Sequence, residues 1–221
     1  MKKVFHLLLI IILISQLSIL NSSCTQDAYE KGEGELSAMV AEMGDGFTAS
    51  DKKVTRFVTD DDEQFAVSNP FSSNLMPKAD TVYRAIFYYV KNGGEAEVKG
   101  LNRVLVVSPR KIEEMKTDPV RVESVWMGKS KRYLNLSLYL MGGQTDSKDD
   151  MHHLSCQQNI SLINTDGTKT LHLTLYHDQG GVPEYYSQRV YLSIPVHSAG
   201  ADSVCIHINT YQGIVKRTLK L

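Results

Sequence analysis

The sequence predicts an all-β protein whose second half is a two-sheet antiparallel sandwich. Three observations carry this. After residue 35 the apolar residues come in short runs separated by turn residues. Several runs alternate strictly: Leu134, Leu136, Leu138 and Leu140 share one face, and Tyr133, Asn135, Ser137 and Tyr139 share the other. Finally, 42% of the 221 residues are hydrophobic, which supplies a core and excludes wholesale disorder.

The elements follow in chain order. Residues 1–23 read as an export signal: Met1-Lys2-Lys3 is a short positive start, and an apolar run from Val4 to Leu20 follows. That run is shorter than the ~20 residues a membrane-spanning helix needs. Asn21-Ser22-Ser23 then leads into Cys24 in the manner of a bacterial lipobox, so Cys24 is the expected lipidation site, with Leu20 four residues before it where the usual pattern has Leu three before. Acyl chains on Cys24 would anchor the protein in a membrane, at ~0.8 kcal/mol per buried CH₂. Residues 24–35 are acidic and glycine-containing and read as a tether.

Strands are expected at Leu36–Met43, Val54–Thr59, Gln64–Ser68, Thr81–Lys91, Glu95–Lys99 and Arg103–Val107, with a hairpin turn at Asn92-Gly93-Gly94. Ser108-Pro109 offers a helix cap and a first-turn proline, so a short helix is expected over Ser108–Met115. A domain boundary is placed there, giving one domain over 36–112 and a second over 119–221. Beyond it, strands are expected at Tyr133–Leu140, Leu154–Ile163, around Leu171–Leu175, around Val190–Val196, at Val204–Tyr211 and at Ile214–Leu219. Asn164-Thr165-Asp166-Gly167 and Gln212-Gly213 mark turns. One-sided strands of this kind must bury their apolar faces together, hence the sandwich.

The chemistry is sparse. The chain has no G-x-S-x-G, H-E-x-x-H, C-x-x-C or phosphate-binding glycine motif. With 24 basic and 25 acidic side chains the net charge is −1, and residues 33–110 hold 12 acidic and nine basic ones. That sign is wrong for tracking a phosphate backbone, so no nucleic-acid partner is expected. The mature-chain histidines read as strand-surface residues. His172 and His207 lie on outward faces, where they would meet if their strands were neighbours, and Cys205 shares a face with His207. No carboxylate or cysteine spacing reinforces them, so no metal or other cofactor is expected. Asp60-Asp61-Asp62-Glu63 and Asp146-Ser147-Lys148-Asp149-Asp150 lack an EF-hand pattern and read as solvated loop charge. Strand parity puts Cys156 inward, in phase with Leu154, Ile160 and Leu162, and Cys205 outward, which argues against a bridge between them. The outward faces of the second-half strands collect Tyr133, Tyr139, His172, Tyr176, Arg189, Tyr191 and His207. Tyr and Arg are favoured at binding hot spots, so these seven are the candidate binding face, provided their strands share a sheet.

Asp80-Thr81-Val82-Tyr83-Arg84, Trp126, Tyr133-Leu134-Asn135-Leu136 and His152-His153-Leu154 together resemble the NigD-like lipoproteins of Bacteroidetes. The resemblance covers the mature chain. It implies a lipidated N-terminus, an OB-type barrel in the first half and a β-sandwich in the second, and it suggests a role in bacteriocin production or immunity. It carries no catalytic residue over. The expected protein is a small OB-like barrel followed by an antiparallel β-sandwich. It would act without catalysis as a lipid-anchored outer-membrane protein, on the periplasmic or cell-surface side, that binds a protein, peptide or glycan. The alternatives are an accessory subunit of an outer-membrane complex and, third, a metal-assisted hydrolase.

Overall fold

A computed structural model describes residues 38–197 and 199–221. The signal segment, Cys24 and the tether lie outside the described residues. Among the described residues every named element is a strand.

The first five strands are β1 (Met39–Thr48), β2 (Val54–Thr59), β3 (Gln64–Phe71), β4 (Val82–Asn92) and β5 (Glu95–Arg103). They close into a barrel in the order β1-β2-β3-β5-β4, with β3 and β5 parallel and the other pairs antiparallel. This is the five-stranded Greek-key order of an OB barrel. Its interior is aromatic. Phe57 stacks on Phe87 with ring centroids 4.4 Å apart, and Phe65 and Tyr89 pack against Phe57. Tyr89 turns its hydroxyl to the barrel wall and donates to Glu42 Oε2 at 2.6 Å. The turn at Asn92–Glu95 forms as expected, with Gly93 at φ +65°. A side chain there would pay the left-handed penalty that glycine avoids.

The remaining strands make two sheets. The four-stranded one runs β6 (Leu105–Val106), β13 (Tyr186–Pro195), β9 (Tyr133–Gly142), β8 (Arg121–Trp126). The six-stranded one runs β15 (Gly213–Lys220), β14 (Ser203–Thr210), β12 (Lys169–Asp178), β10 (His153–Gln158), β7 (Pro109–Arg110), with β11 (Leu162–Ile163) beside β12. Leu134, Leu136, Leu138, Leu192 and Ile194 from one sheet meet Leu171, Leu173, Leu175, Val204, Ile206 and Ile208 from the other. The alternation seen in the sequence is therefore the sandwich core. Most pairs are antiparallel, but β12 and β14 are parallel, because β13 crosses to the opposite sheet between them.

Three expectations change. No helix forms over 108–115; Pro109–Arg110 instead pairs with Cys156–Gln157 as a strand. Leu105–Val106 pairs with Leu192–Ser193, so β6 and β7, assigned above to the first domain, lie in the sandwich sheets. The single strand expected over Leu154–Ile163 breaks into β10 and β11. Ile160, at 83% exposure, and Leu162 are exposed rather than facing inward with Cys156.

Candidate functional site

The outer face of the four-stranded sheet changes character along its length. At one end it is covered by the barrel. Arg84, on β4, points out of the barrel and is buried in this joint. Its Nε donates to Ser193 Oγ at 3.1 Å, and its Nη2 donates to Asp60 Oδ2 at 2.5 Å and to Asn135 Oδ1 at 3.1 Å. Its Nη1 lies 3.4 Å from Asp45 Oδ1, and the guanidinium sits 4.1 Å from the centroid of the Tyr133 ring. Asn135 Nδ2 donates to Asp60 Oδ2 at 2.7 Å, and Arg132 Nη1 donates to Asp45 Oδ2 at 3.0 Å. Two arginines thus face two buried aspartates; Arg84 is buried with them, while Arg132 is partly exposed and also reaches Asp62 at 3.6 Å. Burial, with Asp45 beside it, pushes the Tyr133 phenol above its ordinary pKa.

Asp60 corrects the sequence reading. It is only 8% exposed and is the pivot of this joint, whereas its acidic run reads as solvated loop charge. Asp61 does stay at the surface, where the Lys129 backbone N–H and ammonium hold its carboxyl below the usual range.

Next along the face is an open groove of about 460 Å³. The barrel contributes Met43, Ile86 and Tyr88; the sandwich contributes Trp126, Met127 and Tyr191; Asp60 and Asp61 supply acidic groups. Met43, Ile86 and Val104 form a small apolar cluster against which Tyr88, Trp126 and Tyr191 pack. Beyond the groove the face opens to solvent at Tyr139, Arg189 and Glu123. Arg189 Nη2 bonds Glu123 Oε1 at 2.5 Å and also contacts the Tyr139 hydroxyl. The guanidinium of Arg121 lies 4.0 Å from the centroid of the Tyr139 ring. The Ser137 hydroxyl above all, helped by Arg189, holds Glu123 below its ordinary pKa against an opposing effect of burial.

The seven candidate residues do not share one face. Tyr133, Tyr139, Arg189 and Tyr191 lie on the four-stranded sheet; His172, Tyr176 and His207 lie on the six-stranded one. Parity put each outward but says nothing of which sheet a strand joins. Tyr133 is further taken up by the joint. Tyr176 lines a second cavity of about 580 Å³, together with His152, His153 and Val190. His152 Nδ1 meets His177 Nε2 at 3.0 Å, and burial and His177 lower the His152 pKa. His172 Nδ1 lies 3.2 Å from His207 Nε2, and burial, Lys216 and His172 lower the His207 pKa. Cys156 and Cys205 are both free thiols. The groove residues of β4 were missed, although a signal for them exists. Ala85-Ile86-Phe87-Tyr88-Tyr89-Val90 is apolar throughout rather than alternating, as for a strand buried on both faces.

An OB-ordered barrel locked through a buried polar joint onto a mixed sandwich defines a two-module all-β protein. Residues 103–221 match the NigD-like C-terminal beta sandwich domain. The chain belongs to the NigD-like family. Among solved structures it is similar to a NigD-like immunity protein from Bacteroides caccae, at 24% identity over 80% of this chain and 91% of that one, with a TM-score of 0.61. It is also similar to a protein of unknown function from Bacteroides vulgatus, at 12% identity over 83% and 90%, with a TM-score of 0.59. Both likenesses are of fold. No curated protein sequence matches the chain.

Proposed function

We propose that this chain is a non-catalytic binding protein of the cell envelope, anchored through Cys24, whose groove between barrel and sandwich takes a peptide or protein partner. The observation that carries the reading is the groove itself. It brings an indole, two phenols and two thioethers from both modules to one open cleft, next to an exposed Arg189–Glu123 pair. Aromatic anchors beside a polar rim are the composition of an interface hot spot. Membership of the NigD-like family, and a neighbour called an immunity protein, favour a bacteriocin-related polypeptide as the partner class. The export signal and lipobox favour the outer membrane as its location.

The test is crosslinking and capture from native membranes with the full chain. Trp126→Ala and Tyr191→Ala are each expected to lower capture of a discrete partner about tenfold or more, the effect of losing a hot-spot residue. Folding is followed by the thermal midpoint. Capture that survives both substitutions in folded protein would sink the groove as the binding site. Cys24→Ala is expected to release the chain from the membrane fraction; retention there would refute the anchor.

A further inference from the structure

The six-stranded sheet carries a second constellation, on the other side of the sandwich from the groove. β12 and β14 are parallel neighbours in register His172↔Cys205 and Thr174↔His207. Because Leu171, Leu173, Val204 and Ile206 fill the core, His172, Cys205 and His207 all project from the opposite face of the sheet. One ring nitrogen from each histidine and the Cys205 sulfur lie within 4.8 Å of one another. Among the described residues no other three His, Cys, Asp or Glu side chains converge in this way.

The separations suit a metal. A tetrahedron with metal–nitrogen bonds of 2.0–2.1 Å has a nitrogen–nitrogen edge of about 3.3 Å. His172 Nδ1 and His207 Nε2 stand 3.2 Å apart. The Cys205 sulfur lies within 4.8 Å of both nitrogens. Two imidazoles and a thiolate are a borderline-soft donor set, which selects zinc over calcium or magnesium. Cys205 is only 6% exposed, while both histidines are half-buried, so the set is shielded at the sulfur and open at the rings. The ligands stand on two paired strands inside the sheet rather than on loops, which holds their spacing.

We propose that His172, Cys205 and His207 form a three-ligand site for a zinc-class divalent ion, with the fourth position open on the outer face of the sheet. Binding displaces the Cys205 thiol proton to solvent and leaves the bound ion with one net positive charge. The site is independent of the groove and of the partner reading.

The experiment is a titration of the metal-free full chain in detergent with Co²⁺, then Zn²⁺. One equivalent of Co²⁺ is expected to give a thiolate-to-cobalt charge-transfer band and tetrahedral visible absorption, both bleached by Zn²⁺. Cys205→Ser should abolish the charge-transfer band. His172→Ala and His207→Ala should each weaken binding at least about tenfold, a loss that removal of even a supporting group produces at metal sites. His152→Ala should leave it unchanged. If Cys205→Ser does not fold, His207→Gln replaces it: Zn²⁺ is then expected to raise the thermal midpoint of the wild type and not of the variant. Absence of the charge-transfer band, or Zn²⁺ binding that persists in both Cys205→Ser and His207→Gln, overturns the proposal.

Discussion

Arg84 has a buried side chain whose oxygen partners come from distant parts of the chain: Asp45, Asp60, Asn135 and Ser193. Its charge is compensated only while those partners stay in place. Arg84→Met would leave the buried Asp60 carboxylate with only the Asn135 amide, and Asp45 with only Arg132. Breaking one side of a buried ion pair costs about 3–5 kcal/mol, so the variant is expected to lose that much stability in urea unfolding. Asp60→Asn should lose less, because the amide retains a hydrogen-bond acceptor. Cys156 behaves differently. It is buried in the sandwich core, and burial pushes its thiol up to about 12. Only the thiolate is nucleophilic, so Cys156 is expected to alkylate at neutral pH no faster than the protein unfolds. Fast labelling of the native chain at Cys156 would contradict this. Residue roles of this kind were half legible. Parity placed Cys156 inward and Cys205 outward, but nothing local distinguishes Asp60 from Asp61, since the difference is an arginine that arrives from β4.

At the scale of elements, periodicity was the dependable signal. The Leu134–Leu140, Leu171–Leu175 and Val190–Val196 runs became the core faces of β9, β12 and β13 because only one register buries them. Capping chemistry was not dependable. Ser108-Pro109 is a fair helix start worth about 1 kcal/mol, but a few residues of helix cannot nucleate against a waiting sheet edge, and β7 pairs with β10 instead. The link between modules also depends on a close approach. The segment after β8 crosses the β2–β3 turn, where Ser130 N–H donates to the Asp60 carbonyl at 2.8 Å. A Cβ on Gly128 would stand 2.4 Å from Asp60 Cβ and 2.5 Å from its carbonyl oxygen. Gly128→Ala is therefore expected to destabilise by about 1–3 kcal/mol, as overpacking does, and to loosen the groove beside it. An unchanged denaturation midpoint would mean that the segment moves freely.

The whole molecule was legible as a class and as a pair of modules, and less so as an assembly. The sequence has no mark for which sheet a strand joins. That depends on crossovers such as β12 to β13 to β14, and it decides that the tyrosines and the histidines part company. The continuity of the joint also has a consequence for unfolding. The barrel and the sandwich share Arg84, Asp60, Arg132 and Asn135, so each supplies partners to the other's buried charges. One calorimetric transition is expected for the wild type, and Arg84→Met should separate it into two; two transitions in the wild type would show that the joint couples the modules weakly.

β1 is bonded along both edges, to β2 on one side and β4 on the other. A chain pulled from residue 39 and held at the sandwich therefore carries the load lengthwise along β1. Its two ladders are stressed in shear, where rungs must give way together, rather than peeled one at a time. The load then crosses to the sandwich through β4 and its arginine. Pulled that way, the barrel is expected to resist more force than when β1 is peeled sideways from its neighbours.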